Sequence, residues 1–119
     1  MATMAVAFPI LPGKTAEWRA FMAELNGSRR EEFNASRRSA GVRERTYLQS
    51  TPMGDEVIVT LEGDDPGRSF GQMMHTTDPF TTWFLGKVKD VHGIDLTAPM
   101  TGTLSELVID TDRVADAAK

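Results

Sequence analysis

The chain has 119 residues, a formal net charge of −4 and no cysteine. This length suits one domain with a single core, and the missing thiols exclude disulfides and thiolate metal sites. The acidic balance argues against a general nucleic-acid binder, and no apolar run approaches the ~20 residues that span a bilayer.

Met4–Ile10 is the first expected strand, with Pro9 near its end where one lost donor is tolerated. The apolar N-terminus lacks a basic run ahead of it, so it reads as strand rather than signal peptide, and the expectation is a soluble cytoplasmic protein. A helix follows from about Lys14, with Trp18, Phe21, Met22 and Leu25 on one stripe. Asn26-Gly27 interrupts it. Ser28-Arg29-Arg30-Glu31 has capping-box spacing for a second helical segment, which Phe33 anchors and Gly41 stops.

Arg29, Arg30, Arg37, Arg38, Arg43 and Arg45 crowd this third of the chain. The leading reading is a solvated face paired with Glu31 and Glu32. The alternative is an anion-attracting rim around a pocket.

Arg43 to Gly63 reads as a hairpin. Arg43, Arg45, Tyr47 and Gln49 alternate with Glu44, Thr46, Leu48 and Ser50, and a multi-residue loop over Ser50–Asp55 precedes the β-branched run Val57–Leu61. The charged first strand suits an edge, and the apolar second suits the interior.

Asp65-Pro66 and Asp78-Pro79 each combine N-cap and N1 chemistry, so the next helical region is broken and restarted at Thr76-Thr77. Phe70, Met73 and Met74 form the apolar face of its first half, and Phe80, Trp83, Phe84, Val88 and Val91 that of its second. His92-Gly93 ends the helix, with His92 as a dipole-favoured cap. Ile94–Gly102 is expected loop and Thr103–Asp110 the last strand. Residues 1–110 then form the domain, and 111–119 a tail.

The order is α+β, a ferredoxin-like βαββαβ with split helices and an antiparallel sheet. Right-handed crossovers put strands 1 and 3 inside and strands 2 and 4 at the edges. Helices cover one sheet face, and apolar residues expected on the other imply a homodimer packed sheet to sheet.

Two segments carry a resemblance. Leu11-Pro12-Gly13-Lys14 opens a helix containing Trp18, and Phe70-Gly-Gln-Met-Met-His75-Thr-Thr-Asp-Pro-Phe80-Thr-Thr-Trp83-Phe84 forms a helix ending in His with an aromatic continuation. The chain thereby resembles the dimeric α+β barrel superfamily, which includes antibiotic-biosynthesis monooxygenase-like proteins. The resemblance implies a dimeric α/β barrel. It also implies a cofactor-independent enzyme acting on a small aromatic or polyketide-like molecule in a helix–sheet pocket. The competing reading is a non-enzymatic ligand-binding or structural homodimer of the same fold.

His75 is the candidate proton acceptor, because imidazole titrates near working pH. A helical wheel sets it opposite Phe70, Met73 and Met74, at the surface unless the break at Thr76 redirects it. Tyr47 is the second candidate catalytic group. With Arg45 it could orient an oxygenated ligand if their strand face points into a cavity, or guard an edge or dimer interface if it does not. Phe70, Met74 and Trp83 are the candidate apolar contacts to a ligand. His75 and His92 are not at metal-ligand spacing, and neither a metal nor a cofactor is expected.

Overall fold

The computed structural model of the chain describes residues 1–98 and 105–112. In chain order it contains β1 (Ala2–Pro9), α1 (Thr15–Asn26), α2 (Arg30–Ala40), β2 (Val42–Thr51), β3 (Gly54–Gly63), α3 (Pro66–Met74) and α4 (Pro79–His92). The fold is α+β: four helices and a three-stranded antiparallel sheet of order β1-β3-β2. This is consistent with a ferredoxin-like arrangement.

Strand phase decides what the sheet buries. Val57, Val59 and Leu61 of β3 share the inward phase with Met4, Val6 and Phe8 of β1 and with Val42 and Leu48 of β2. All four helices place their apolar stripes on this one face. Trp18, Phe21 and Leu25 come from α1, Phe33 from α2, Phe70, Met73 and Met74 from α3, and Phe80, Val88 and Val91 from α4. Val91, Leu61 and Val57 are sealed completely, so truncating them leaves a void rather than a solvated gap.

Local chemistry explains the helix ends. Gly27 separates α1 from α2, and a Cβ there would lie 2.9 Å from the Ala23 carbonyl oxygen. The capping box expected at Ser28 does not form: α2 begins at Arg30, and its N-cap Arg29 makes no side-chain cap bond. The two Asp-Pro sites behave as their chemistry dictates. Asp65 accepts from Arg68 N, and Asp78 accepts from Thr81 N.

Three expectations are corrected. The hairpin loop is shorter than anticipated, since Thr51 pairs with Gly54 and only Pro52 and Met53 turn the chain. The Thr51 hydroxyl closes that turn by donating to Gly54 O at 2.7 Å.

The last strand is not observed. Thr103 and Leu104 lie outside the described residues, while Ser105–Asp110 is irregular and exposed. Among the described residues β1 is therefore an edge, and only β3 has two neighbours.

Nor is the open sheet face apolar. The large side chains of β1 and β3 almost all point toward the helices, leaving Thr3, Ala5 and Ala7, then Glu56, Ile58, Thr60 and Glu62, then Arg43, Arg45, Tyr47 and Gln49. Alternation sent the apolar phase of both strands inward, and Ile58 is the one large aliphatic residue left outside.

Candidate functional site

A seam between α1, α2 and β2 carries the polar groups that reach the core. On α2, Phe33, Arg37 and Ala40 fall at i, i+4 and i+7, so Arg37 projects from the same stripe that packs against the sheet. On β2, Glu44 has the phase of Val42 and Leu48 and points to the same side. The two meet there, with Arg37 Nε 2.7 Å from Glu44 Oε1 and both side chains under 10% exposed, at 9% and 8%. The guanidinium also donates to Ser36 Oγ at 3.0 Å. Its Cζ lies 4.6 Å from the ring centre of Phe33 and 4.8 Å from that of Phe84. Pairing, hydrogen bonds and cation–π contact together offset the cost of removing this charge from water.

The pair borders an apolar cavity of about 50 Å³, whose walls include Phe21, Phe70, Met74 and Val88. Outside it lies a cleft of about 480 Å³ between α1, Phe33 and β2. Cavity and cleft share Trp18, Met22, Leu25, Glu44 and Thr46 as wall residues. These five side chains are all that separate solvent from the interior at this point. Glu44 thus stands at a threshold, with a wide wet side and a narrow dry side.

His92 reaches the cavity from the other end. Its Nδ1 donates to Pro9 O at 2.8 Å, and its ring lies 5.5 Å from that of Phe8. Burial holds its pKa below the ordinary value, and the Pro9 bond opposes this only in part. The imidazole is therefore neutral at neutral pH, not a charged helix cap. Gly93 supplies the helix stop instead, in a left-handed conformation with its N–H on Lys89 O.

The anticipated site residues are dispersed. His75 is exposed just beyond α3, and its Nδ1 donates to Gly71 O at 2.8 Å. Tyr47, 51% exposed, sits with Arg45 on the open sheet face, around a depression of about 170 Å³ that Arg43, Thr60 and Glu62 also line. Phe70 and Met74 line the interior cavity. Trp83 packs edge-on to Phe21 and carries the Arg29 guanidinium 4.1 Å above its ring. Tyr47 is paired with Arg45, and Phe70 with Met74. The sheet divides the first pair from the second, and His75 joins neither.

Arg37, Glu44 and His92 are the polar groups that sequence reasoning passed over. Arg37 was absorbed into the arginine-rich surface face, although its four-residue spacing from Phe33 marks the buried stripe. Glu44 was recorded only as alternating with the arginines of β2.

Among the described residues, no group of three or more His, Asp or Glu side chains gathers to hold a metal ion. No helix there is long and apolar enough to cross a membrane. No protein-family model, curated protein or solved structure matches the chain.

Proposed function

We propose that the chain binds a small aromatic or polyketide-like molecule in the cleft between α1, α2 and β2, as one subunit of a homodimeric α/β barrel. The supporting observation is the buried Arg37–Glu44 pair standing where a ligand-sized cleft meets an apolar cavity. Ligand sites combine apolar walls with few placed polar groups, and this is the place where the two converge. Trp18, Met22 and Leu25 stack against the ring system, and Glu44 accepts a phenol or enol proton donor. Resemblance to the dimeric α+β barrel superfamily supports the same location.

A cofactor-independent, monooxygenase-like activity is the second reading, and Glu44 favours it. A carboxylate fixed by Arg37 at the mouth of a dry cavity is suited to receive a phenolic proton, which makes the substrate a better electron donor toward oxygen. His75 and Tyr47 then act outside the chemistry.

Homodimerisation is supported by the charge pattern of the open face. A column of Arg43 and Arg45 adjoins a column of Glu56 and Glu62, so a second copy turned about a two-fold axis meets opposite charge.

Titrating a hydroxyanthraquinone into the Trp83→Phe variant, in which Trp18 is the sole tryptophan, tests the site. Saturable quenching that Met22→Glu abolishes is expected. Quenching that is linear in ligand, or untouched by Met22→Glu, removes the cleft as the site. Oxygen uptake with a bound phenol that is lost in Glu44→Gln separates turnover from binding alone.

A further inference from the structure

The segment Ser105–Asp110 has the composition of a strand and none of its pairing. Leu107, Val108 and Ile109 are consecutive large apolar residues, exposed to 60%, 78% and 80%. Glu106 and Asp110 flank them. In extended backbone Leu107 and Ile109 share one face, and Val108 lies with the two acids on the other. Exposure of three such residues in a row is costly unless something covers them.

The start of the segment is anchored. Ile10 N donates toward β3, to Asp55 O at 3.0 Å, while Ala5 N points the other way and donates to Ser105 Oγ at 3.2 Å. Donors alternate along a strand, so Thr3, Ala5 and Ala7 present the free edge of β1. Ser105 touches that edge through its side chain alone. The three apolar residues beyond it remain exposed, without cover from their own chain.

The opposite edge of the sheet is β2, and its charge is opposite to that of the segment. Arg43 and Arg45 stand exposed there beside Tyr47, whereas the segment carries Glu106 and Asp110 around an apolar centre. A long edge strand that keeps exposed charge repels unwanted pairing while still admitting a partner of complementary charge.

We infer that Ser105–Asp110 of one copy adds as a strand to the β2 edge of a second copy, and that the exchange is reciprocal. Each copy's β1 edge launches the segment, and its partner's β2 edge receives it. Glu106 and Asp110 face Arg43 and Arg45 across the new ladder, and Leu107 and Ile109 turn inward beneath it. This rests on the homodimeric part of the reading above and is independent of what the cleft binds.

Light scattering coupled to gel filtration, over a hundredfold range of protein concentration, tests it. The parent chain is expected to be a dimer. Leu107→Asp with Ile109→Asp is expected to give a folded monomer, because both side chains are exposed within one copy. Arg43→Glu with Arg45→Glu is expected to raise the dimer Kd at least tenfold, and adding Glu106→Arg with Asp110→Arg restores it. Amide exchange is expected to slow in residues 106–110 and along β2 only when the dimer forms.

A parent monomer overturns both this inference and the homodimer. A parent dimer indifferent to all of these variants overturns the strand exchange while leaving the homodimer standing. Protection of residues 106–110 in a monomer, independent of concentration, assigns the segment to its own β1 and also overturns the exchange.

Discussion

Arg37 and Glu44 hold each other at 2.7 Å across the turn that joins α2 to β2, seven residues apart and both removed from water. Gly41, left-handed at φ 72°, makes the turn between them tight enough for the pair to meet. One short connection thus places a charge pair inside the protein.

Removing one partner strands the other. Glu44→Leu alone or Arg37→Met alone is expected to cost about 3–5 kcal/mol of stability, since an uncompensated charge is left in the core. The double replacement should sit much nearer the parent, because the charge pair and its desolvation disappear together. A double-mutant cycle in urea measures the coupling. Purely additive losses mean that the pair is solvated after all.

His92 makes stability depend on pH. Its folded-state pKa lies below the ordinary 6.5 because burial disfavours the imidazolium. As pH falls through 6.5 the unfolded imidazole takes a proton that the folded one refuses, so the unfolded state binds more protons and stability drops. The contribution is full above pH 6.5 and is lost progressively below it, at most about 1.4 kcal/mol per pH unit. Urea midpoints of the parent and of His92→Gln between pH 5 and 8 check this. The variant should show the shallower acid slope, and equal slopes exclude His92 as the source.

The N-terminus of α4 depends on one carboxylate. Asp78 accepts from Thr81 N at 2.9 Å and from Thr81 Oγ1 at 2.8 Å, and the Thr81 N–H is the main cause of its lowered pKa. Asp78→Ala is expected to cost about 0.5–2 kcal/mol at neutral pH, with Asp78→Asn costing less. A lowered carboxylate pKa stabilises above the unfolded value and stops doing so as pH falls through the folded one. The gap between parent and Asp78→Ala should therefore narrow below pH 3.8. A gap that stays constant to pH 2 means that the charged form is not what caps the helix.

Where one physical rule acts alone, the fold was legible in the sequence. Helical spacing put Trp18, Phe21 and Leu25 in the core, and each Asp-Pro pair started a helix. Competition between rules hid the rest. Arg37 obeys the stripe rather than its charge, because Phe33 and Phe84 accept its guanidinium. Glu44 obeys strand phase, because Arg37 is there to pair with it. His75 ends its helix at the surface, as its helical wheel indicates, and the break at Thr76 does not turn it inward. Residues 105–110 carry a strand pattern but form no ladder within one chain, and pattern alone does not identify the partner strand.

Gly63 shows how closely two elements approach at the base of the sheet. It ends β3 opposite both Ala2 and Val42, and an added Cβ would lie 2.7 Å from the Gly41 carbonyl oxygen. That oxygen belongs to the backbone of the same turn that sets Arg37 against Glu44, so it cannot swing aside as a side chain would. Gly63→Ala is expected to destabilise by about 1–3 kcal/mol, the usual cost of overpacking. Gly71, inside α3, has nothing within 4 Å of a built Cβ, and there alanine is expected to gain up to about 1 kcal/mol from helix propensity. Thermal unfolding of the two variants beside the parent decides the matter. Opposite signs confirm that close approach at Gly41, and a neutral Gly63→Ala shows that the turn yields.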